Sequence, residues 1–476
     1  MNDYDRFDAI GLAALVSRKE VSPQELLDAA IARTEAVNPK VNAVVARHYD
    51  EARAAIRAGL PEGPFRGVPF LLKDLNALFD GTITSNGSRF FTGNRADHDT
   101  EVVARYRRSG LVIFGKTNTP EFGLTVSTEP RLFGPTRNPW KPTHMAGGSS
   151  GGAAAAVAAG IVPAAHASDG GGSIRIPASC CGLYGLKPTR ARNPHGPDRG
   201  EGWSGMSTEH VVSRSVRDSA AILDLTSGPD LGAPYFATPP AVPFLAATGA
   251  SGPALSVGVV TRTAAGETID SECERAVRET AGLLEGLGHR VEEVSLSGIE
   301  PAFGPAFRVI IAANVRAAIE FHAGRTGRQP GPDDLEKVTW AMFEAGARAS
   351  AADYARAVIA VHRAGRQFAA LFQSHDLVLA PTLPKPPQPL GVFNMMADDL
   401  DAYGREVGYF TSFTAIVNLA GNPAASLPLH WTPDGLPVGV QLIGRYGDEA
   451  TVLRVSAQLE QERPWFQRRP PLLQTQ

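Results

Sequence analysis

Short apolar runs, each about the length of one buried strand, recur along this chain with helical stretches between them. "GVPFLLK" (67–73), "LVIFGK" (111–116), "IVPAAHASD" (161–169), "LSVGVV" (255–260), "RVEEVSL" (290–296), "DLVLAPT" (376–382) and "PVGVQLIG" (437–444) read as strands. "TEVVARYRRSG" (100–110), "AAAAVAAG" (153–160), 270–287, several segments between 303 and 373, and 403–419 read as helices. Alternation of this kind restricts the chain to an α/β fold, with helices layered on one large central sheet in a single large domain. The first sixty residues read as helices. Ser22 is an N-cap, Pro23 the first helical residue and Glu25 the third, followed by apolar Leu26, Leu27, Ala30 and Ile31. The expected organisation is therefore a helical region over 1–60 packed on one compact unit over 61–476. The Pro/Gly-rich stretches 228–252 and 381–389 read as loops over a shared core rather than as linkers.

Composition removes several function classes. A net charge of −3 over 476 residues gives no basic field for nucleic acid. No apolar run is long enough to span a bilayer, since 153–167 is broken by Gly160 and Pro163. The three cysteines (Cys180, Cys181 and Cys273) form neither a disulfide framework nor a CxxC zinc motif, so a reducing cytoplasm is the expected setting. Cys180 and Cys181 have no adjacent histidine and read as packing residues. No His/Cys/Asp cluster has ligand spacing, and neither metal nor organic cofactor is expected. Of the 46 Lys+Arg, 46 − 8 = 38 are arginine and only eight are lysine. A lysine embedded in apolar sequence therefore marks a place where the chain departs from its habitual cation. Lys73 is one, and a desolvated lysine, unlike arginine, can lose its proton.

Three segments together carry chemistry: Lys73, "GGSSGG" (147–152) and "SDGGGSIRIPA" (168–178). Cleaving an unreactive carbonyl compound requires a nucleophile, an acceptor for its proton and donors for the developing oxyanion. Ser173 offers a hydroxyl beside the unshielded amides of Gly170, Gly171 and Gly172, and glycine lets successive N–H groups converge. A lysine whose proton affinity is depressed by burial can be the final base. "GGSSG" also satisfies G-x-S-x-G, the nucleophile elbow of α/β-hydrolases. That elbow requires a strand running into the serine, which "TRNPWKPTHMA", with its two prolines, does not supply.

The order Lys…GGSSGG…DGGGSIRIP resembles the amidase signature family. "GVPFLLKDL", "GKTNTPEFG", "TRNPW", "CGLYGLKPT", "DLVLAPT" and "GLPVGVQLIG" extend the resemblance over most of 20–465. The N-terminal half is especially similar to the branch containing nylon-oligomer (cyclic dimer) hydrolases and related amidases. The resemblance implies a Ser–Ser–Lys triad: Ser173 as acylated nucleophile, Ser149 as bridging serine in a cis peptide, and Lys73 as base. The separation 173 − 149 = 24 is the one the family pattern places between its two catalytic serines, so the resemblance points to Ser149 rather than Ser150. It further implies an oxyanion hole from the Gly170, Gly171 and Gly172 amides, with Asp169 and Arg175 holding the loop and Ser150 supporting the bridge.

The implied activity is hydrolysis of a carboxamide C–N bond through an acyl-enzyme, with small-molecule amides, esters or carbamates (urethanase activity) as substrates and a homodimer allowed. The alternatives are the amidase subunit of a glutamine-dependent tRNA amidotransferase, or an inactive family member serving as a binding module. The intact Lys73, Ser149 and Ser173 argue against the latter. The resemblance places cleft-lining segments at 124–129, 193–203, 303–345 and 384–413. Phe303, Phe307, Trp340, Phe343, Phe393 and Phe410 within them supply apolar surface for an acyl pocket or for plain core.

Overall fold

The computed structural model describes residues 3–299 and 303–473. Eleven strands form two sheets among these residues. β1 (Val44–Arg47), β3 (Val112–Thr117) and β2 (Pro69–Lys73) make a small sheet in that order, with β2 and β3 parallel. The remaining strands are β4 (Ala164–Asp169), β5 (Tyr184–Lys187), β6 (Thr208–Ser213), β7 (Ser256–Val259), β8 (Arg290–Glu293), β9 (Leu377–Pro381), β10 (Ala424–Trp431) and β11 (Pro437–Gly444). They form one large sheet in the order β4-β6-β5-β10-β11-β9-β7-β8. It is mixed: β7 runs parallel to β8 and β9, and the other pairings are antiparallel. Helices flank both sheets, as the strand–helix alternation dictates.

The predicted strands occur, with two differences in layout. β2 and β3, buried at every position, lie in a separate small sheet rather than in the large one. The first sixty residues are not wholly helical, because β1 pairs antiparallel with β3. Only four residues long, β1 draws its regularity from β3 rather than from its own sequence pattern. The capping box is present: the Glu25 amide donates to Ser22 Oγ at 3.2 Å, and the Ser22 amide donates to Glu25 Oε2 at 2.8 Å.

One apolar cluster packs the N-terminal helices Ala9–Ser17 and Pro23–Val41 against β2, β3, β4 and the helix Gly151–Ala158. All eight residues of that last helix are buried. A Cβ on Gly152 would lie 2.3 Å from the Asn118 nitrogen, so the helix passes other backbone at a distance that only glycine allows. A second cluster fills the space between the large sheet and the helices Ser271–Gly286 and Glu449–Glu462. The C-terminal ends of β2 and β4 meet beside the start of the alanine helix, which brings the three motif segments together.

Candidate active site

Lys73 is the last residue of β2 and is fully buried. Its Nζ stands 2.7 Å from Ser149 Oγ and 3.0 Å from Ser168 Oγ. Burial pushes the ammonium down to about 7, against the opposing pull of Glu209 and then Asp169. A substantial fraction of the lysine is therefore neutral near pH 7, as proton abstraction demands. The Gly148–Ser149 peptide is cis. Ser149, Ser168 and Ser173 line one cavity, together with Leu75, Phe122, Gly170, Trp203 and Val315. Ser150 points elsewhere. Its Oγ donates to the Ser168 carbonyl (3.2 Å) and its amide donates to the Ser173 carbonyl (3.3 Å), which ties the two serine loops together.

Asp169 and Arg175 are both fully buried and form the anchor of the glycine loop. Arg175 Nε and Nη2 each donate to the Asp169 carboxylate at 2.9 Å, and Nη1 donates to Gln441 Oε1 at 2.6 Å. Burial would raise the Asp169 carboxyl, but the Arg175 charge and hydrogen bonds outweigh it and hold the group far below the usual carboxylate range. Asn418 Nδ2 donates to both the carboxylate (2.9 Å) and the carbonyl (3.0 Å) of Asp169.

The expected set of oxyanion donors needs one correction. The Gly172 amide donates to Asp169 Oδ1 at 2.7 Å, so it is already engaged. Gly172 instead shapes the turn: its φ is +130°, and a Cβ there would lie 2.5 Å from Thr414 Oγ1. The amides of Gly170, Gly171 and Ser173 have no acceptor among the described residues and remain available to a ligand. Thr414 adds a restraint by donating its hydroxyl to the Gly171 carbonyl (2.8 Å).

The elbow reading does not survive, since among the described residues no strand precedes Ser149 between β3 and the alanine helix. Cys180 and Cys181 are buried in the helix Arg175–Cys181, and burial pushes both thiols up, which makes them packing residues. Of the six candidate pocket aromatics, Phe307 packs edge-on against Trp203 with ring centroids 6.3 Å apart. Trp340 and Phe343 belong to a cluster with Phe90, Phe91 and Phe122, while Phe393 and Phe410 pack with Val126 and Met145. The side chain of Phe303 lies outside the described residues. The apolar part of the cavity wall is instead Leu75, Phe122, Trp203, Val315 and Ala318, with Asn76, His195, Arg199, Ser207, Glu209 and Asn314 among its polar members. Glu209 and the His166 behind it carry no signal in the sequence, and Ser168, although it opens the glycine-loop segment, none that points to Lys73. Only strand register brings them to Lys73, and no local pattern announces it.

The family model described as Amidase matches residues 25–453. The chain belongs to the amidase family. It is 39% identical to the 6-aminohexanoate-cyclic-dimer hydrolase of Paenarthrobacter ureafaciens, over 98% of this chain and 97% of that one. The solved structure of a 6-aminohexanoate cyclic dimer hydrolase superposes with a TM-score of 0.94 at 38% identity, covering 98% and 99% of the two chains. A bacterial aryl acylamidase of the amidase signature family superposes at 0.87 and 29% identity, covering 97% of each. A glutamyl-tRNA(Gln) amidotransferase chain from Thermotoga maritima is more distant, with a TM-score of 0.76 and 28% identity, covering 97% and 96%. This amidase is an amide hydrolase acting on C–N bonds, with a small-molecule amide as substrate. No helix among the described residues is long and apolar enough to cross a membrane.

Proposed function

We propose that this amidase cleaves its substrate through a Ser173 acyl-enzyme, with Ser149 relaying protons between Ser173 and Lys73. The observation that carries the reading is the 2.7 Å approach of Lys73 Nζ to Ser149 Oγ at the wall of the cavity that Ser173 also lines. Neutral Lys73 takes the Ser149 proton, Ser149 takes that of Ser173, and Ser173 Oγ bonds to the carbonyl carbon. The carbonyl oxygen, now negative, faces the amides of Gly170, Gly171 and Ser173. As the C–N bond breaks, the proton returns from Lys73 through Ser149 to the departing nitrogen. A water then repeats the sequence on the ester and releases the acid.

The apolar wall of Leu75, Phe122, Trp203, Val315 and Ala318 favours an uncharged aliphatic or aryl acyl group. That fits the cyclic dimer and the aryl acylamides on which the relatives are named to act. Esters and carbamates present the same carbonyl geometry and belong to the substrate range to be screened; a homodimer is the assembly to be tested. No observation favours the tRNA amidotransferase reading over this one.

A fluorophosphonate should label wild-type protein on Ser173, with the adduct located by mass spectrometry. Ser173→Ala should abolish the label and Ser149→Ala should leave a slow residual one. An adduct on Ser149 would overturn these roles.

A further inference from the structure

Behind Lys73 lies a buried carboxylate that the triad does not use. Ser168 and His166 alternate along β4 and therefore share one face, and Glu209 of β6 stands directly opposite Ser168 in the antiparallel register. That face looks onto the end of β2. The Lys73 backbone N–H donates to His166 Nδ1 at 3.2 Å, while His166 Nε2 lies 2.6 Å from Glu209 Oε2. Because Nδ1 accepts, the ring proton sits on Nε2 and is donated to the carboxylate. The chain Lys73 N–H to His166 to Glu209 is thereby fixed in direction and in tautomer.

We propose that Glu209 is a positioning residue for the hydrolytic reaction, pinning the end of β2 through His166 and holding a fixed negative charge beside the Lys73 amine. This rests on Lys73 being the base, as in the reading above. The charged and titratable groups around Lys73 divide clearly. Asp169 on β4 is doubly hydrogen-bonded to Arg175 and pulls on Lys73 less than Glu209 does. Asp74, on the flank, accepts from the Ser85 amide and hydroxyl, and the nearby Lys116 charge offsets part of its own. His195 and Arg199 share the cavity wall with Glu209. Glu209 alone is a carboxylate whose hydrogen-bond partner is a neutral ring, so its charge is left to act on the lysine. Burial raises its carboxyl, but the hydrogen bond it accepts from His166, the largest of the opposing influences, helps to hold it below the ordinary value and ionised. A lysine surrounded only by apolar groups would be too weak a base to hold the proton between the two halves of the reaction. The Glu209 charge opposes that loss.

The test is the pH profile of kcat/KM on an anilide. Wild-type activity should fall as pH drops through about 7, because protonated Lys73 cannot start the relay. Glu209→Gln keeps an acceptor for His166 but removes the charge, so the acid limb should move to lower pH by at least half a unit, about threefold in rate on the limb. His166→Gln can preserve both hydrogen bonds and the charge; its limb should stay within about 0.2 units of wild type while kcat falls less than about tenfold. An unmoved limb in folded Glu209→Gln, or an equal shift in His166→Gln, overturns the proposal. A rise in KM alone would make Glu209 a substrate contact and overturns it too. Should Glu209→Gln fail to fold, Glu209→Asp carries the test. Its limb should stay in place with kcat lowered, and unchanged kcat or a displaced limb refutes. Absence of any acid limb near 7 in wild type would instead sink the assignment of Lys73 as base.

Discussion

Replacing Asp169 by asparagine tests whether the oxyanion loop is held by charge. The carboxylate accepts from the amides of Gly172 (2.7 Å), Ile174 (3.1 Å) and Arg175 (3.4 Å), from two guanidinium nitrogens of Arg175 and from Asn418. Asparagine offers one oxygen in place of two and turns an NH₂ toward the remaining donors. The fully buried guanidinium then has neutral side-chain acceptors alone, Gln441 and Asn418 among them, and no charged partner. Leaving one member of a buried pair uncompensated costs about 3–5 kcal/mol. Arg175→Met should cost less, about 2–3 kcal/mol, because the carboxylate retains three backbone amide donors and the Asn418 side chain.

The double variant has neither charge, so its loss should fall short of the summed single losses by about 2 kcal/mol or more. Urea denaturation measures these three differences, and turnover of an anilide separates stability from function. Turnover of the double variant should stay depressed by about 100-fold or more, since the Gly172 turn has lost its charged anchor and the neighbouring donors their aim. Additive losses, an Asp169→Asn protein as stable as wild type, or a double variant of full activity would each refute the reasoning.

Lys73→Ala should lose about three orders of magnitude on an anilide but clearly less on the matching aryl ester. The ester's phenolate leaves without the returned proton. Lys73→Arg should be no better than alanine, because guanidinium stays charged; paired steady-state assays decide both points. Dialysis against a chelator should leave the rate unchanged, since the proposed reaction uses only side chains and amides. A loss restored by zinc would contradict it.

What is legible in the sequence has local causes. Lys73 stands out as a lysine inside an apolar strand of an arginine-rich chain, and Ser173 as a hydroxyl after three glycines. The Ser22 capping box and the all-buried alanine helix are likewise written in consecutive residues. Non-local demands are not legible. His166, Ser168 and Glu209 converge through the β4–β6 register, across some forty residues of chain. The predicted helix over 403–419 is broken into Leu400–Phe410 and Ala415–Ala420. The break turns the Thr414 hydroxyl onto the Gly171 carbonyl and hands the Phe413 carbonyl to Gln441 Nε2 (3.0 Å). The site imposes that interruption, and the helical pattern carries no sign of it. Gly172 is readable as part of the loop but not as a committed donor, because its partner Asp169 lies outside any pattern of amides.

The cavity has two unlike halves, and they differ in their freedom to change. On one side a methyl group is too large: a Cβ on Gly148 would sit 2.7 Å from the Val126 carbonyl carbon, and one on Gly152 closer still to Asn118. On the other side stand Trp203, from a loop, and Val315 and Ala318, from the long helix Phe303–Thr326, none of which holds a reacting atom. A randomised library confined to Leu75, Trp203, Val315 and Ala318 should therefore yield folded enzymes with altered acyl preference. The same diversity spent on 147–152 should yield mostly unfolded chains. New substrates would be acquired by remodelling one wall while the chemistry opposite stays unchanged.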